Sequence, residues 1–340
     1  MPEGLHGWLV LDKPVGLGST QAVGAVKRAL RAGGYPRVKV GHGGTLDPLA
    51  SGVLPVALGE ATKLAGRLLD SDKVYAFTIR FGAETDTLDA EGRVVATSDV
   101  RPSAEAVAAV LPRFTGEIEQ TPPAYSALKV GGERAYDLAR AGETVTLAER
   151  EVMIFSLRSS PERGGGPFGV AEWWRGPAAQ DMLSRGAPST TGPDGPAVPL
   201  PVNGEELREI TLLAHVSKGT YIRSLTRDIA RALGTVGHVT MLRRIKAGPF
   251  DLARAITLDK LAELGQGRGL EQHLLPLRAG LDDIPALFLT PDQAGALRQG
   301  RVLDGIAADD GRCFALLDDV PVALAEVKDR RVRVVRGFNL

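Results

Sequence analysis

Between residues 38 and 63 the chain reads VKVGHGGTLDPLASGVLPVALGEATK, an order of residues that few backbones can carry. Glycines crowd the stretch (Gly41, Gly43, Gly44, Gly52), and Pro48 steers Asp47 away from helix. Asp47 is thereby placed on a shaped loop, five residues after His42. The apolar run from Val53 to Leu58 predicts a buried strand. Glu60 then opens a helix with Ala61, Leu64, Ala65 and Leu68 on one face. A loop anchored between such elements holds a side chain in place. On the Asp-Pro pair alone, an Asx turn without chemistry is the better account of Asp47.

The rest of the chain falls into elements of both kinds. Gly7 to Asp12 is a short apolar strand ended by Lys13-Pro14, and Ser19 to Leu30 is a helix capped by Ser19, with Val23, Val26 and Leu30 inward. Lys73 to Phe81 alternates, so Tyr75, Phe77, Ile79 and Phe81 share a strand face and periodicity makes Tyr75 a core aromatic. Pro102 to Phe114 reads as a helix, and Arg150 to Leu157 and Thr211 to Ser217 read as strands. In the helix from Arg223 to Leu233, one stripe carries Leu225, Ile229 and Leu233. A second stripe carries Arg223, Arg227 and Arg231, facing solvent or phosphate. Residues 159–203, rich in Gly, Pro, Ala and Ser, predict a long, partly disordered insertion that Trp173-Trp174 alone would anchor. From Asp282 onward come a strand (Leu287 to Thr290), a helix starting at Thr290-Pro291-Asp292, and strands near Cys313 to Leu317, Val322 to Val327 and Val332 to Val335. Short strands around one helix suggest a small barrel.

With 340 residues the chain can form a core domain plus a smaller appended one. The single cysteine, Cys313, forms no internal disulfide, and five scattered histidines offer no ligand spacing, so no metal is expected. No stretch suits a membrane span or a signal peptide, and a cytoplasmic protein is expected. Basic and acidic residues balance at 41 each, yet they are segregated. Between His215 and Phe250 seven cations (Lys218, Arg223, Arg227, Arg231, Arg243, Arg244, Lys246) face one acid, Asp228. Segregation of this kind suits a polyanion and predicts binding weakened by salt, although a solvated basic face explains any single cluster.

The run HGGTLDPLASGVLP with GEATK resembles the catalytic motif of the TruB-type tRNA pseudouridine synthases. GWLVLDKPVG resembles that family's first motif, with Gly18 where the family usually has threonine. DKVYAFTIRFGAETDTLDAEG resembles the second, PPAYSALK its mobile RNA-contacting flap, and SKGTYIRSLTRDIARALG with GHVTMLRRIKAGPF its third conserved region. The resemblance implies an α+β fold: a central mixed, largely antiparallel sheet flanked by helices, with a small C-terminal PUA-like β-barrel. The implied division is a catalytic domain over 1–280, containing the flap at 116–150 and the insertion at 159–203, and an RNA-binding domain over 281–340.

The implied reaction converts uridine 55 in the T loop of tRNA to pseudouridine. The N1–C1′ bond breaks, the base turns, and C5 takes the place of N1. This is an isomerisation without redox change. No cofactor is expected, and the chain has neither a Walker A run nor a GxGxxG in a strand-turn-helix setting. The resemblance makes Asp47 the catalytic carboxylate, either attacking C1′ or removing the C2′ proton. A carboxylate taken out of water favours its neutral form unless a cation accompanies it, and the resemblance assigns that cation to Arg223. Tyr75 would stack on the uracil and relay the C5 proton. His42 would hold the RNA backbone or the space vacated by the flipped base, and Tyr221 and Leu242 would line the pocket. Lys129, Arg227, Arg231, Arg243 and Arg244 would contact RNA. The expected partner is the T arm of tRNA, bound by a monomer without metal or membrane. The rival reading is an RNA-binding or tRNA-folding module whose catalysis is incidental.

Overall fold

The computed structural model describes residues 4–143, 145–159, 206–281 and 284–340. Most of the insertion, with Trp173 and Trp174, lies outside the described residues. In chain order the strands are β1 (Gly7–Lys13), β2 (Val40–His42), β3 (Ser51–Leu58), β4 (Lys73–Phe81), β5 (Ala83–Thr85), β6 (Val94–Thr97), β7 (Gly116–Gln120), β8 (Lys129–Val130), β9 (Glu133–Arg134), β10 (Arg150–Ser159), β11 (Glu209–Val216), β12 (Gly237–Ala247), β13 (Phe250–Asp251), β14 (Ala286–Phe288), β15 (Gly311–Leu317), β16 (Val320–Lys328) and β17 (Arg331–Gly337). The helices are α1 (Ser19–Ala32), α2 (Ala65–Asp70), α3 (Ala104–Val110), α4 (Ala135–Arg140), α5 (Ile222–Ala232), α6 (Leu258–Gly265) and α7 (Pro291–Arg298). The chain forms two compact units, one of residues 1–71 with 246–340 and the other of residues 72–245.

In the first unit β3 is flanked by β1 and β2, both antiparallel to it. Trp8, Val10, Val53, Ala57, Leu64 and Leu68 form one buried cluster with Phe250, Leu277, Phe314, Leu316, Leu324 and Phe338. Each Val, Leu or Phe among them taken fully from water stabilises the fold by roughly 1.5–3 kcal/mol. Phe314, Leu316, Leu324 and Phe338 come from the C-terminal segment, so residues from 281–340 share a core with β1 and β3. That segment forms a four-stranded sheet in the order β14-β15-β16-β17. Thr290 caps α7 and Gln293 completes the capping box. Leu289, Ala294 and Leu297 pack with Cys313, Ala315, Ala325 and Val327 as a second cluster. The described strands pair as an open sheet, with no hydrogen-bonded closure between β14 and β17.

The last residues are tied to the GEATK turn. Lys63 Nζ donates to Glu60 Oε2 at 2.6 Å and to the Gly337 carbonyl at 2.9 Å, and the Asn339 N–H donates to Glu60 Oε2 at 2.8 Å. Burial alone would raise the pKa of Glu60, but the Lys63 and Asn339 hydrogen bonds and the charges of Lys63 and His6 together lower it from its ordinary value. A pKa lowered on folding means stabilisation that is present above the unfolded value and lost as pH falls through the folded one. Protection of the Asn339 amide against exchange should therefore drop severalfold on acidification in the wild type. In Glu60→Gln it should be low and flat from neutral pH downward. Parallel curves for the two proteins would remove Glu60 from this role.

In the second unit the strand order is β12-β4-β11-β10-β7. β4 occupies an interior position, and both its faces are covered: Phe77 and Ile79 are fully buried on one, Val74 and Ala76 on the other. Two sequence expectations are corrected at element ends. The residue preceding α1 is Gly18, whose N–H is met by Gln21 Oε1 at 2.8 Å, so Ser19 is not the cap. The segment after Leu58 is a 3-10 turn over Gly59–Lys63 followed by the short α2, rather than one helix from Glu60.

Candidate active site

Asp47 lies in the first unit, on a loop whose backbone is fixed on both sides of it. Ser19, released from capping, donates from Oγ to the Leu46 carbonyl at 3.0 Å and accepts from the Leu46 N–H at 2.8 Å. The Pro48 carbonyl accepts from the Gly16 N–H at 2.8 Å. Lys13 is wholly buried, and its ammonium donates to the carbonyls of Leu17 at 2.6 Å, Pro14 at 3.0 Å and Pro48 at 3.5 Å. A buried ammonium needs such acceptors, and these three join the turn after β1 to the turn carrying Asp47. The Asp47 carbonyl accepts from the Ala50 N–H at 3.0 Å. The glycines serve close packing as well as turning: a Cβ on Gly43 would stand 2.5 Å from Leu68 Cδ1 and 3.0 Å from its Cβ, and Gly44 has φ 131°. Asp47 itself is half-buried, as is His42, which pairs with Val56 at the end of β2.

The same unit contains a cavity of about 400 Å³ lined by His6, Arg37, Lys39, Glu60, Thr62 and Lys63. Arg37, Lys39 and Lys63 line it together with one carboxylate, Glu60, which Lys63 engages at 2.6 Å. Sequence reasoning did not single them out, because they lie on either side of β2 and β3 and only the pairing of those strands gathers them.

Arg223, Tyr75, Tyr221 and Leu242 lie in the second unit. Arg223 stands in the first turn of α5, 6% exposed. Its Nη1 donates to the Thr87 carbonyl at 3.0 Å and to Asp89 Oδ2 at 3.3 Å, and its Nη2 donates to the Tyr125 carbonyl at 3.0 Å. Asp89 is buried too, and its Oδ1 accepts from Thr87 Oγ1 at 2.6 Å and from the Glu91 N–H at 3.1 Å. The guanidinium is thus aimed by a carboxylate that is itself fixed. Asp89 was missed at the sequence level; the only hint was an acid-rich turn, TDTLDAEG, shortly after β4. Tyr75 is half-buried on β4 opposite Ala214, and Leu242 is buried on β12.

The remaining cations divide by environment. Lys129 is exposed on the β8–β9 hairpin, and Arg231 is largely exposed while reaching Glu84 at 3.0 Å. Arg227 is mostly covered and is engaged by Asp228 at 2.8 Å and the Thr121 carbonyl at 3.3 Å. The arginine stripe of α5 therefore does not face outward as one strip. Arg243 is half-buried, and Arg244, 1% exposed, is among the largest fully buried side chains. Helical and strand periodicity place such residues on a face but do not say what covers it.

Residues 27–162 match the model of the TruB family pseudouridylate synthase N-terminal domain, and residues 223–282 match that of the tRNA pseudouridylate synthase B C-terminal domain. A protein of Novosphingobium aromaticivorans named tRNA pseudouridine synthase B is 59% identical over 336 residues, covering 99% of this chain and 98% of its own. One of the same name from Zymomonas mobilis is 55% identical, covering 99% and 97%. Among solved structures, a Cbf5-Nop10-Gar1 complex matches with a TM-score of 0.66 at 24% identity over 98% of this chain and 85% of that one. An H/ACA RNP bound to a substrate RNA containing 2′-deoxyuridine matches at 0.65 and 23%, over 98% and 86%. These two likenesses concern the fold.

Proposed function

The chain belongs to the TruB family of pseudouridylate synthases, and from that premise we propose that it converts uridine 55 in the T loop of tRNA to pseudouridine. The observation that carries this reading is the Asp47 loop, in which a carboxylate sits between two backbone positions fixed by Ser19, Gly16 and Lys13. Preorganisation of that kind is what a group acting on a ribose carbon needs, since misplacement by about 1 Å costs on the order of 10²-fold in rate.

In this reading the base is extruded from its stack and the N1–C1′ bond breaks with the help of Asp47. The uracil then turns and C5 bonds to C1′, losing its hydrogen as a proton. Arg223 is the cation that favours the ionised carboxylate, and Asp89 positions Arg223. Tyr75 stacks on the base and relays the C5 proton, His42 occupies the vacated space, and Tyr221 and Leu242 line the pocket. Extrusion costs a few kcal/mol, and each aromatic stack returns roughly 1–3 kcal/mol. Lys129 and the cations of the first-unit cavity suit a phosphate backbone. Residues 281–340, with Arg312, Arg333 and Arg336 exposed on their strands, act as a PUA-like RNA-binding domain. The protein works in the cytoplasm, as a monomer and without a cofactor.

The test is an unmodified tRNA transcript carrying tritium at uridine C5. The protein should release one equivalent of tritium, and mapping should place one pseudouridine in the T loop. Absence of release from any transcript would overturn the proposal.

A further inference from the structure

The stretch 116–150 leaves its sheet at Gln120, the last residue of β7, and returns at Arg150, the first of β10; the two are Cα partners across that pair. Both of these end residues grip Tyr221. Gln120 Oε1 accepts from the Tyr221 N–H at 2.8 Å, and the Arg150 guanidinium lies 4.7 Å from the centroid of the Tyr221 ring. Arg150 Nη2 also donates to the Gly219 carbonyl, just before Tyr221 in the turn that enters α5. Further contacts run the same way: Ser224 Oγ and Arg227 Nη2 donate to the Thr121 carbonyl, and Arg223 to that of Tyr125. The root of the flap and the turn carrying Tyr221 and Arg223 are one hydrogen-bonded piece. Gln120 is 1% exposed, so its bond to Tyr221 forms away from water, where geometry is tightly enforced.

We propose that Gln120 and Arg150 are positioning residues that couple the seating of the flap to the aim of the Tyr221 ring; this rests on the function proposed above. The segment between β7 and β10, which carries the β8–β9 hairpin, thus begins and ends on residues that meet one aromatic side chain. Arg150 suits the task because a planar guanidinium stacks on a ring and donates from its edge at the same time, whereas a lysine ammonium has no planar face to stack.

Two readouts test this, one of them independent of substrate. In the free protein Arg150→Met and Gln120→Leu should each speed exchange of the Tyr221 amide severalfold. With tRNA, the single-turnover rate at saturating enzyme should fall about tenfold, the scale of a desolvated cation–π contact, while Kd for tRNA stays within about twofold. Arg150→Lys should restore only part of the rate. Should Arg150→Met fail to fold, Gln120→Leu carries the same test. A raised Kd with a flatter salt dependence, an unchanged saturating rate and full rescue by lysine would make Arg150 a phosphate contact and overturn the coupling. Wild-type exchange at Tyr221 with wild-type rates would overturn it as well. A wild-type protein that isomerises no uridine would count against the proposed function, and the exchange result would still judge the clamp.

Discussion

Asp47→Asn is expected to lower the single-turnover rate of uridine isomerisation by about 10³-fold or more, with tRNA affinity within about threefold of wild type. The loop that carries the residue is fixed by the Leu46 backbone on Ser19, by the Pro48 carbonyl on Gly16 and Lys13, and by the Asp47 carbonyl on Ala50. All of these are bonds to main-chain atoms, and an isosteric amide leaves every one of them in place. What the substitution removes is the negative charge, and with it both routes open to the carboxylate, attack at C1′ and abstraction at C2′. An RNA-binding or RNA-folding module with incidental catalysis would keep its rate, so tritium release from C5 of tRNA uridine by the variant at more than a tenth of the wild-type rate would end the enzymatic reading of Asp47.

How much of this was legible beforehand follows from what kind of physics each feature obeys. β4 was read to the residue, since alternation over Lys73 to Phe81 is a local property of the strand. The body of α5 was read nearly as well. Serine before an apolar helix predicts a cap at Ser19, yet its hydroxyl goes to Leu46, 27 residues away, a partner that no local pattern announces. The arginines of α5 were placed on one stripe correctly, but what meets that stripe is set by Asp89, Tyr125 and Thr121, which approach from other elements. The C-terminal elements follow from local pattern, but the burial of Phe314, Leu316 and Leu324 in the β1–β3 core does not, because their partners lie more than 200 residues away. Distance in sequence between partners, more than the strength of any single signal, marks where reading stopped.

Arg223→Met is expected to destabilise the protein by about 3–5 kcal/mol, read from the urea midpoint of the second unit, because it strands a buried carboxylate. The side chains of Arg223 and Asp89 are 8% and 5% exposed and lie 3.3 Å apart. Methionine keeps the aliphatic bulk of arginine but leaves Asp89 with only the Thr87 hydroxyl and the Glu91 N–H among the bonds described above. If the stranded charge is the cause, Asp89→Asn in the Arg223→Met background should recover a large part of the loss, and the double-mutant cycle should show a coupling of about 1–3 kcal/mol. Additive costs would mean that Arg223 stabilises through the Thr87 and Tyr125 carbonyls instead. The double variant also separates two roles. Its stability should return toward wild type, while isomerisation stays slower by about 10²-fold or more, because the double variant lacks the cation proposed above for the chemistry. Recovery of rate together with stability would show that Arg223 acts only by holding its unit together, and the charge proposed for the chemistry would have to be sought elsewhere.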